Sequence, residues 1–404
     1  MRSSVLSLFL LLLLQATGWS QFTDPKLVES LDKVVQTALD EHRVAGCVVM
    51  VAYRGETVYA KAAGMADQEG ARPMQTDALF RLASVSKPMV SAAAMRLVEQ
   101  GKLSLDDPVT RWLPDFQPRL DGKPVVITIR QLLNHTSGLS YRFSEPKESL
   151  YHVLGVSDGL DNPTLTLAEN LHRLGQAPLH HQPGSKFLYS LSIDVVGAVI
   201  EKVSGKPLPE AVADLVLKPL KMNDTGFQAV DAKRLTTAYG NTAVGPIKVV
   251  DGTTLALGDG WVSYTPSKAL SAPANPSGGG GMVGSAGDFL TFLEAVRRND
   301  GTLLKAETID RMEQNSLGEV AGHRPGWGFG LGWAVLLDPT AANTPQSKGT
   351  LQWGGAYGHS WFIDPAQHLT VVVFTNTAFE GMAGKLPADV RRTVYHWLAP
   401  KVSL

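Results

Sequence analysis

Apolar residues recur at helical spacing at Leu27, Leu31, Val34, Val35 and Ala38, behind the start signal Asp24-Pro25, and predict a helix over 27–39. Two β-rich runs follow, 48–53 and 57–62, separated by Arg54-Gly55-Glu56, which is a hairpin signature with glycine in the turn. Helical patterns then return at 92–100, closed by Gly101, and at 129–133, 165–174, 193–203 and 288–296, the last with Ser285 or Gly287 as cap. Strand-like pieces between 235 and 273 carry no decisive period. A second strand series occupies 331–337, 351–353, 359–363 and 370–375, and a closing helix spans 386–398. The order predicts an α+β fold: one antiparallel sheet, drawn from about 21–83 and 285–404, interrupted by a mainly helical insertion over about 84–284.

The first residues change the picture of where the chain works. Arg2, an apolar run over 5–14 and the small residues Gly18 and Ser20 read as a secretory signal peptide over 1–20. The run falls short of the roughly 20 apolar residues that span a bilayer. The expectation is an exported protein, periplasmic or secreted, whose mature chain 21–404 is a single domain with no integral membrane segment. A net charge of −1 without any basic run argues against a nucleic-acid partner. The single cysteine, Cys47, lies in a strand-like run and reads as a small buried hydrophobe. The histidines form no His-Glu-x-x-His and no Cys/His cluster, so neither a metal nor a cofactor is expected.

Candidate chemistry concentrates at Phe80-Arg81-Leu82-Ala83-Ser84-Val85-Ser86-Lys87-Pro88. Ser84 and Lys87 stand three positions apart at a helix start, on one face, so an amine is within reach of a hydroxyl. First-turn N–H groups favour developing negative charge there, and Pro88 suits a first turn. Ser30 with Lys33 and Ser144 with Lys147 match the same spacing, but the first pair lies inside an amphipathic helix and the second in a stretch broken by Pro146. Gly155-Val156-Ser157-Asp158-Gly159 matches the nucleophile elbow of α/β-hydrolases without the strand before it or the prompt helix after it, and reads as a decoy. Gly278 to Gly281 lacks the ending of a phosphate-binding loop and reads as tight backbone packing. Tyr189 follows the turn at Pro183-Gly184 and either points into a cleft or packs half-buried; His135 reads as a loop histidine tied by hydrogen bonds.

Ser84-x-x-Lys87, Leu132 to Leu139, Pro183-Gly184 with Phe187-Leu188-Tyr189-Ser190, the 278–287 glycine stretch and Trp353-Gly354-Gly355 occur in an order that resembles the serine β-lactamase and penicillin-binding-protein superfamily. The likeness is greatest to class C β-lactamases and, in that branch, to family VIII carboxylesterases. The resemblance implies a sheet flanked by helices beside a mainly helical region, with the site between them. It implies Ser84 as the acylated nucleophile, Lys87 and Tyr189 as the pair that takes and returns its proton, and the backbone N–H groups of Ser84 and Ala356 as the oxyanion hole. The strand through Trp353, Gly354 and Gly355 would edge the site.

Two departures from the class C pattern matter. Tyr-x-Asn reads Tyr189-Ser190-Leu191, so an apolar residue replaces a substrate-touching amide. Lys-Thr-Gly reads Trp353-Gly354-Gly355, which removes a charged hydrogen bond to a substrate carboxylate, about 1.5–3 kcal/mol. His359 either restores some polarity to the site or is a satisfied strand histidine. The expected activity is hydrolysis of small-molecule, short-chain acyl esters through a Ser84 acyl-enzyme. A β-lactamase or D-amino acid peptidase with the same nucleophile, acyl transfer, and a non-hydrolytic acylated sensor remain open on sequence.

Overall fold

The structure, a computed structural model, describes residues 23–402; the expected signal peptide over 1–20 lies outside the described residues. Eight strands form the principal sheet: β1 (Gly46–Tyr53), β2 (Glu56–Asp67), β3 (Arg72–Pro73), β4 (Trp327–Phe329), β5 (Ala334–Leu336), β6 (Leu351–Gly355), β7 (His359–Asp364) and β8 (Leu369–Thr375). Their spatial order is β4-β5-β6-β7-β8-β1-β2-β3. The two strand groups, distant in sequence, join where β1 runs antiparallel to β8, with Val49 opposite Val373.

Three helices cover this sheet, α1 (Pro25–Asp40), α4 (Ala286–Arg298) and α5 (Lys385–Val402), while α2 (Ser86–Glu99) and α3 (Ser192–Ser204) pack on each other. Leu27, Leu31 and Val35 of α1 and Leu386, Val390 and Val394 of α5 pack on Val49, Val51, Val371 and Val373. The alternate residues Val48, Val372 and Phe374 point the other way, into a core shared with α4, α2 and α3. Strands covered on both faces have no polar side to show, which is why 48–53 and 370–375 read as unbroken apolar runs. Each valine so buried contributes about 1.5–3 kcal/mol of transfer free energy.

The segment Leu79–Arg81 pairs with Val283–Ser285, so the chain enters and leaves the long middle region side by side. This pairing sets the turn that carries Ser84 directly against the sheet domain. Ser285, rather than Gly287, caps α4 by accepting from the Asp288 N–H. One expectation needs correction. The strand expected over 331–337 is shorter, Ala334–Leu336, and is the second arm of a hairpin with Trp327–Phe329, because Gly332 turns the chain at φ 112° in a place where a Cβ would lie 2.6 Å from Ser91 Oγ. The strand-like pieces expected between 235 and 273 are two hairpins inside the mainly helical middle: Tyr239–Thr242 pairs with Gly245–Lys248, and Thr253–Leu257 with Gly260–Tyr264. These hairpins are half-exposed and lack a buried face with a strong period.

Candidate active site

Ser84 sits in a tight turn, Ala83–Val85, that runs straight into α2. Ala83 is held at φ 45°, a left-handed conformation costly for alanine, so its surroundings must enforce it. The Ser86 hydroxyl donates to the Ala83 carbonyl at 2.7 Å and accepts from the Met282 N–H at 3.1 Å, and His359 Nε2 donates to the Arg81 carbonyl at 2.8 Å. In a trans peptide C=O and N–H point opposite ways, so pinning the Ala83 carbonyl fixes the direction of the Ser84 N–H. The same logic holds across the site: the Gly358 N–H bonds the Gly355 carbonyl at 2.9 Å and thereby orients the Ala356 N–H, while Tyr264 Oη donates to the Ala356 carbonyl at 3.0 Å. Among the described residues, neither the Ser84 nor the Ala356 N–H donates to a backbone acceptor outside regular helix and strand pairing. Both are free to meet an oxyanion.

Two groups converge on the Ser84 hydroxyl: Lys87 Nζ at 3.1 Å and Tyr189 Oη at 2.7 Å. Lys87 is fully buried; its Nζ is held by the Gly279 carbonyl at 2.7 Å and by the Tyr189 and Tyr141 rings, at 4.6 and 5.4 Å from their centroids. Trp353 Nε1 donates to Tyr189 Oη at 3.3 Å, from a ring centred 5.1 Å away. His135 lies behind Tyr189, ring centroids 4.8 Å apart, and its Nδ1 accepts the Ser190 N–H at 3.3 Å, anchoring the strand-like segment that carries the tyrosine. Burial first, and then the nearby Lys87, hold the His135 ring neutral. Asp194, in the first turn of α3, is fully buried; burial raises its carboxyl, opposed by the Ser277 hydroxyl that donates at 2.5 Å and by Lys87. A Cβ at Gly279 would come within 2.4 Å of Asp194 Oδ2, so glycine is what lets this backbone reach both Asp194 and Lys87.

These groups open onto one cavity of about 440 Å³. One side is apolar and aromatic, walled by Tyr141, Phe143, Leu160, Leu257 and Val262. On the other side β5 pairs only with Leu351 and Gln352, so Trp353–Gly355 runs as an unpaired strand edge along the cavity. His323, Arg324, Gly354 and Arg391 also line this cavity.

Of the residues expected at the site, the structure brings together Ser84, Lys87, Tyr189, Trp353, Gly354 and Ala356. Gly355 is buried and packs instead: a Cβ there would lie 2.4 Å from the Leu82 carbonyl. Leu191 and His359 are corrected as substrate contacts. Leu191 is fully buried in the core around α2 and α3, and His359 is fully buried between Phe80 and Phe374, bonded to the Arg81 carbonyl. Ser157 is also buried, donates to Asp161 at 2.5 Å and accepts the Gly159 N–H; no strand precedes it, and it does not line the cavity. Its neighbour Asp158 accepts the Arg142 and Phe143 N–H groups and so holds the aromatic wall in place. Sequence reasoning passed over Tyr141, Phe143, Ser86, Tyr264 and Asp194. Asp194 alone carried a signal, an acid inside the apolar run Ser192-Ile193-Asp194-Val195-Val196.

Residues 31–395 match the β-lactamase family model. The chain is 50% identical over 375 residues to Esterase EstB of Burkholderia gladioli, covering 91% of this chain and 95% of that protein. The solved structure of EstCE1, described as a hydrolase with promiscuous acyltransferase activity, superposes with a TM-score of 0.89 at 49% identity, over 92% of this chain and 98% of that one. A penicillin-binding protein homologue from Pyrococcus abyssi shares the fold at TM-score 0.70 and 24% identity, over 93% and 77% of the two chains.

Proposed function

The chain belongs to the β-lactamase family, and we propose that within it the protein is a serine carboxylesterase acting on short-chain acyl esters through a Ser84 acyl-enzyme. The observation that carries this reading is the placement of Lys87 Nζ and Tyr189 Oη within hydrogen-bond reach of one hydroxyl, Ser84 Oγ. Ser84 Oγ attacks the ester carbonyl as its proton passes to the Lys87–Tyr189 pair, and the Ser84 and Ala356 N–H groups receive the negative oxygen. Tyr189 returns a proton to the departing alcohol, which leaves the acyl-enzyme. A water then attacks, the same pair takes its proton, and the Ser84 hydroxyl is restored with release of the acid. The similarity to EstB and EstCE1 supports esters over lactams, as does Trp353, a flat apolar group where an ammonium would hold a β-lactam carboxylate.

Acyl transfer to an alcohol in place of water is a second outcome of the same intermediate, supported by the apolar, aromatic lining beside Ser84 and by the description of EstCE1. Arg2 and the apolar run over 5–14 support export of the mature chain. The test is turnover of 4-nitrophenyl butyrate and of nitrocefin by the mature protein and by Ser84→Ala and Ser157→Ala. Ester turnover lost in the first variant and kept in the second, with nitrocefin hydrolysed far more slowly, is the expected result; the reverse assignment of the two serines ends the proposal.

A further inference from the structure

Of Ser84, Lys87 and Tyr189, the tyrosine is the one with no regular secondary structure beneath it. Ser84 sits in the turn that runs into α2 and Lys87 at the start of that helix, whereas residues 188–191 belong to no helix or strand. A phenolic oxygen 2.7 Å from Ser84 Oγ still needs a fixed backbone under it, because small displacements of a catalytic group are costly. One residue gives that support from both sides. The Leu188 N–H donates to the His135 carbonyl at 2.8 Å and the Ser190 N–H to His135 Nδ1 at 3.3 Å, so the amides before and after Tyr189 end on the same histidine. The imidazole lies against the Tyr189 ring, centroids 4.8 Å apart.

His135 is itself held. It follows the short helix Ile129–Leu133 at φ 57°, a left-handed conformation that histidine and asparagine take more readily than most side chains. Beside it Asn134 Nδ2 donates to the Ser316 carbonyl at 3.1 Å, and Asn134 Oδ1 accepts the Thr136 hydroxyl at 2.7 Å. The Ser190 hydroxyl, 3.4 Å from Nδ1, continues to Ser192 at 2.8 Å and from there to Ser137 at 2.7 Å, a fully buried chain that ties the start of α3 to the same loop. Since Nδ1 accepts, the neutral ring carries its proton on Nε2, which is buried with no hydrogen-bond partner among the described residues. A phenylalanine or leucine would fill the space beside Phe187 and Phe329 without burying an orphaned donor, so packing does not account for an imidazole here.

We propose that His135 is a positioning residue for the reaction: through its carbonyl and Nδ1 it fixes the backbone on both sides of Tyr189, and so holds the phenol where it exchanges a proton with Ser84. His135 does not line the cavity, so it acts only through Tyr189. The assignment rests on the Ser84 reading above.

The experiment is a double-mutant cycle of His135 and Tyr189, read in kcat and KM for 4-nitrophenyl butyrate. His135→Ala removes the Nδ1 acceptor and keeps the carbonyl; His135→Asn puts Oδ1 close to where Nδ1 stands and tolerates the left-handed backbone. The alanine change is expected to lower kcat about thirtyfold with KM moved less than about threefold, and the asparagine change to recover most of that loss. In Tyr189→Phe, where the hydroxyl to be positioned is gone, His135→Ala should cost less than about threefold. A loss below about threefold in the wild-type background, equal losses in both backgrounds, or an asparagine variant no better than alanine overturns the proposal. Nitrogen-15 NMR of histidine-labelled wild type, with the His135 signals identified by their loss in His135→Asn, tests the bond without turnover and without the alanine variant having to fold. The expected spectrum is a neutral ring with its proton on Nε2 and a bare Nδ1; a proton on Nδ1 overturns the proposal. If wild type and Ser84→Ala hydrolyse the ester equally, the Ser84 reading has failed instead, and the NMR spectrum still decides whether Nδ1 accepts from the Tyr189 segment.

Discussion

Tyr189→Phe removes one oxygen and leaves a ring of the same shape among His135, Tyr141 and Trp353, whose centroids lie 4.8, 5.2 and 5.1 Å away. The packing is therefore preserved. Two hydrogen bonds disappear, the 2.7 Å bond to Ser84 Oγ and the 3.3 Å bond from Trp353 Nε1. Trp353 is only half-buried, so water can satisfy its freed N–H, and the cost to folding should stay below about 1 kcal/mol. The catalytic cost is larger, because a positioned proton-transfer group contributes about 10²- to 10⁴-fold, or roughly 3–5 kcal/mol of barrier. Stopped-flow hydrolysis of 4-nitrophenyl butyrate would separate the steps. Both acylation and deacylation should slow by at least about a hundredfold with KM little changed, while the thermal midpoint shifts by only a few degrees. A variant within threefold of wild type in both steps would refute the reasoning, since Lys87 alone would then suffice.

Ser86→Ala should lose the bond that pins the Ala83 carbonyl and leave the Met282 N–H buried without an acceptor, costing about 1–3 kcal/mol in urea unfolding and lowering kcat more than it raises KM; Ser86→Thr should recover part of both. Burial lifts the Cys47 thiol to about 12, so the folded protein at pH 8 should not react with a chromogenic disulfide reagent, and one thiol should appear on adding denaturant. Asp158 is raised from 3.8 to about 7, by burial first and partly offset by Arg142 and the two N–H groups it accepts. Its folded form holds the proton more tightly than the unfolded chain, so its contribution favours folding at low pH and is lost as pH climbs from about 4 to 7. Urea titrations of wild type and Asp158→Asn across that range should diverge in slope, with the variant lacking this fall.

The line of strands and helices was legible where burial is one-sided or complete. The helix at Leu27, Leu31 and Val35 and the apolar runs of β1 and β8 declare themselves because the residues that touch the core are the ones that set the period. The hairpins between 239 and 264 were obscure for the opposite reason: their faces are only partly covered, so composition does not constrain them. At the site, Ser84 and Lys87 were readable because a helix start fixes their spacing locally. Tyr189 was weaker on its own, since its place depends on the bond from the neighbouring Ser190 N–H to His135, which lies 55 residues from Ser190 in sequence. Leu191 and His359 were misplaced because a motif gives position along a strand or helix start and says nothing of which way the side chain turns. Leu191 turns into the core, and His359 turns to meet the Arg81 carbonyl. Arg324 and Arg391 gave no signal at all, being brought to one cavity only by the tertiary fold.

The most direct test of Ser84 as the acylated residue is intact-mass spectrometry after treatment with an alkyl fluorophosphonate, followed by peptide mapping. Wild type and Ser157→Ala should each gain one adduct, located on Ser84, and Ser84→Ala should gain none. An adduct that persists in Ser84→Ala, or that maps to Ser157, would contradict the assignment of the nucleophile and with it the chemistry built on Lys87 and Tyr189.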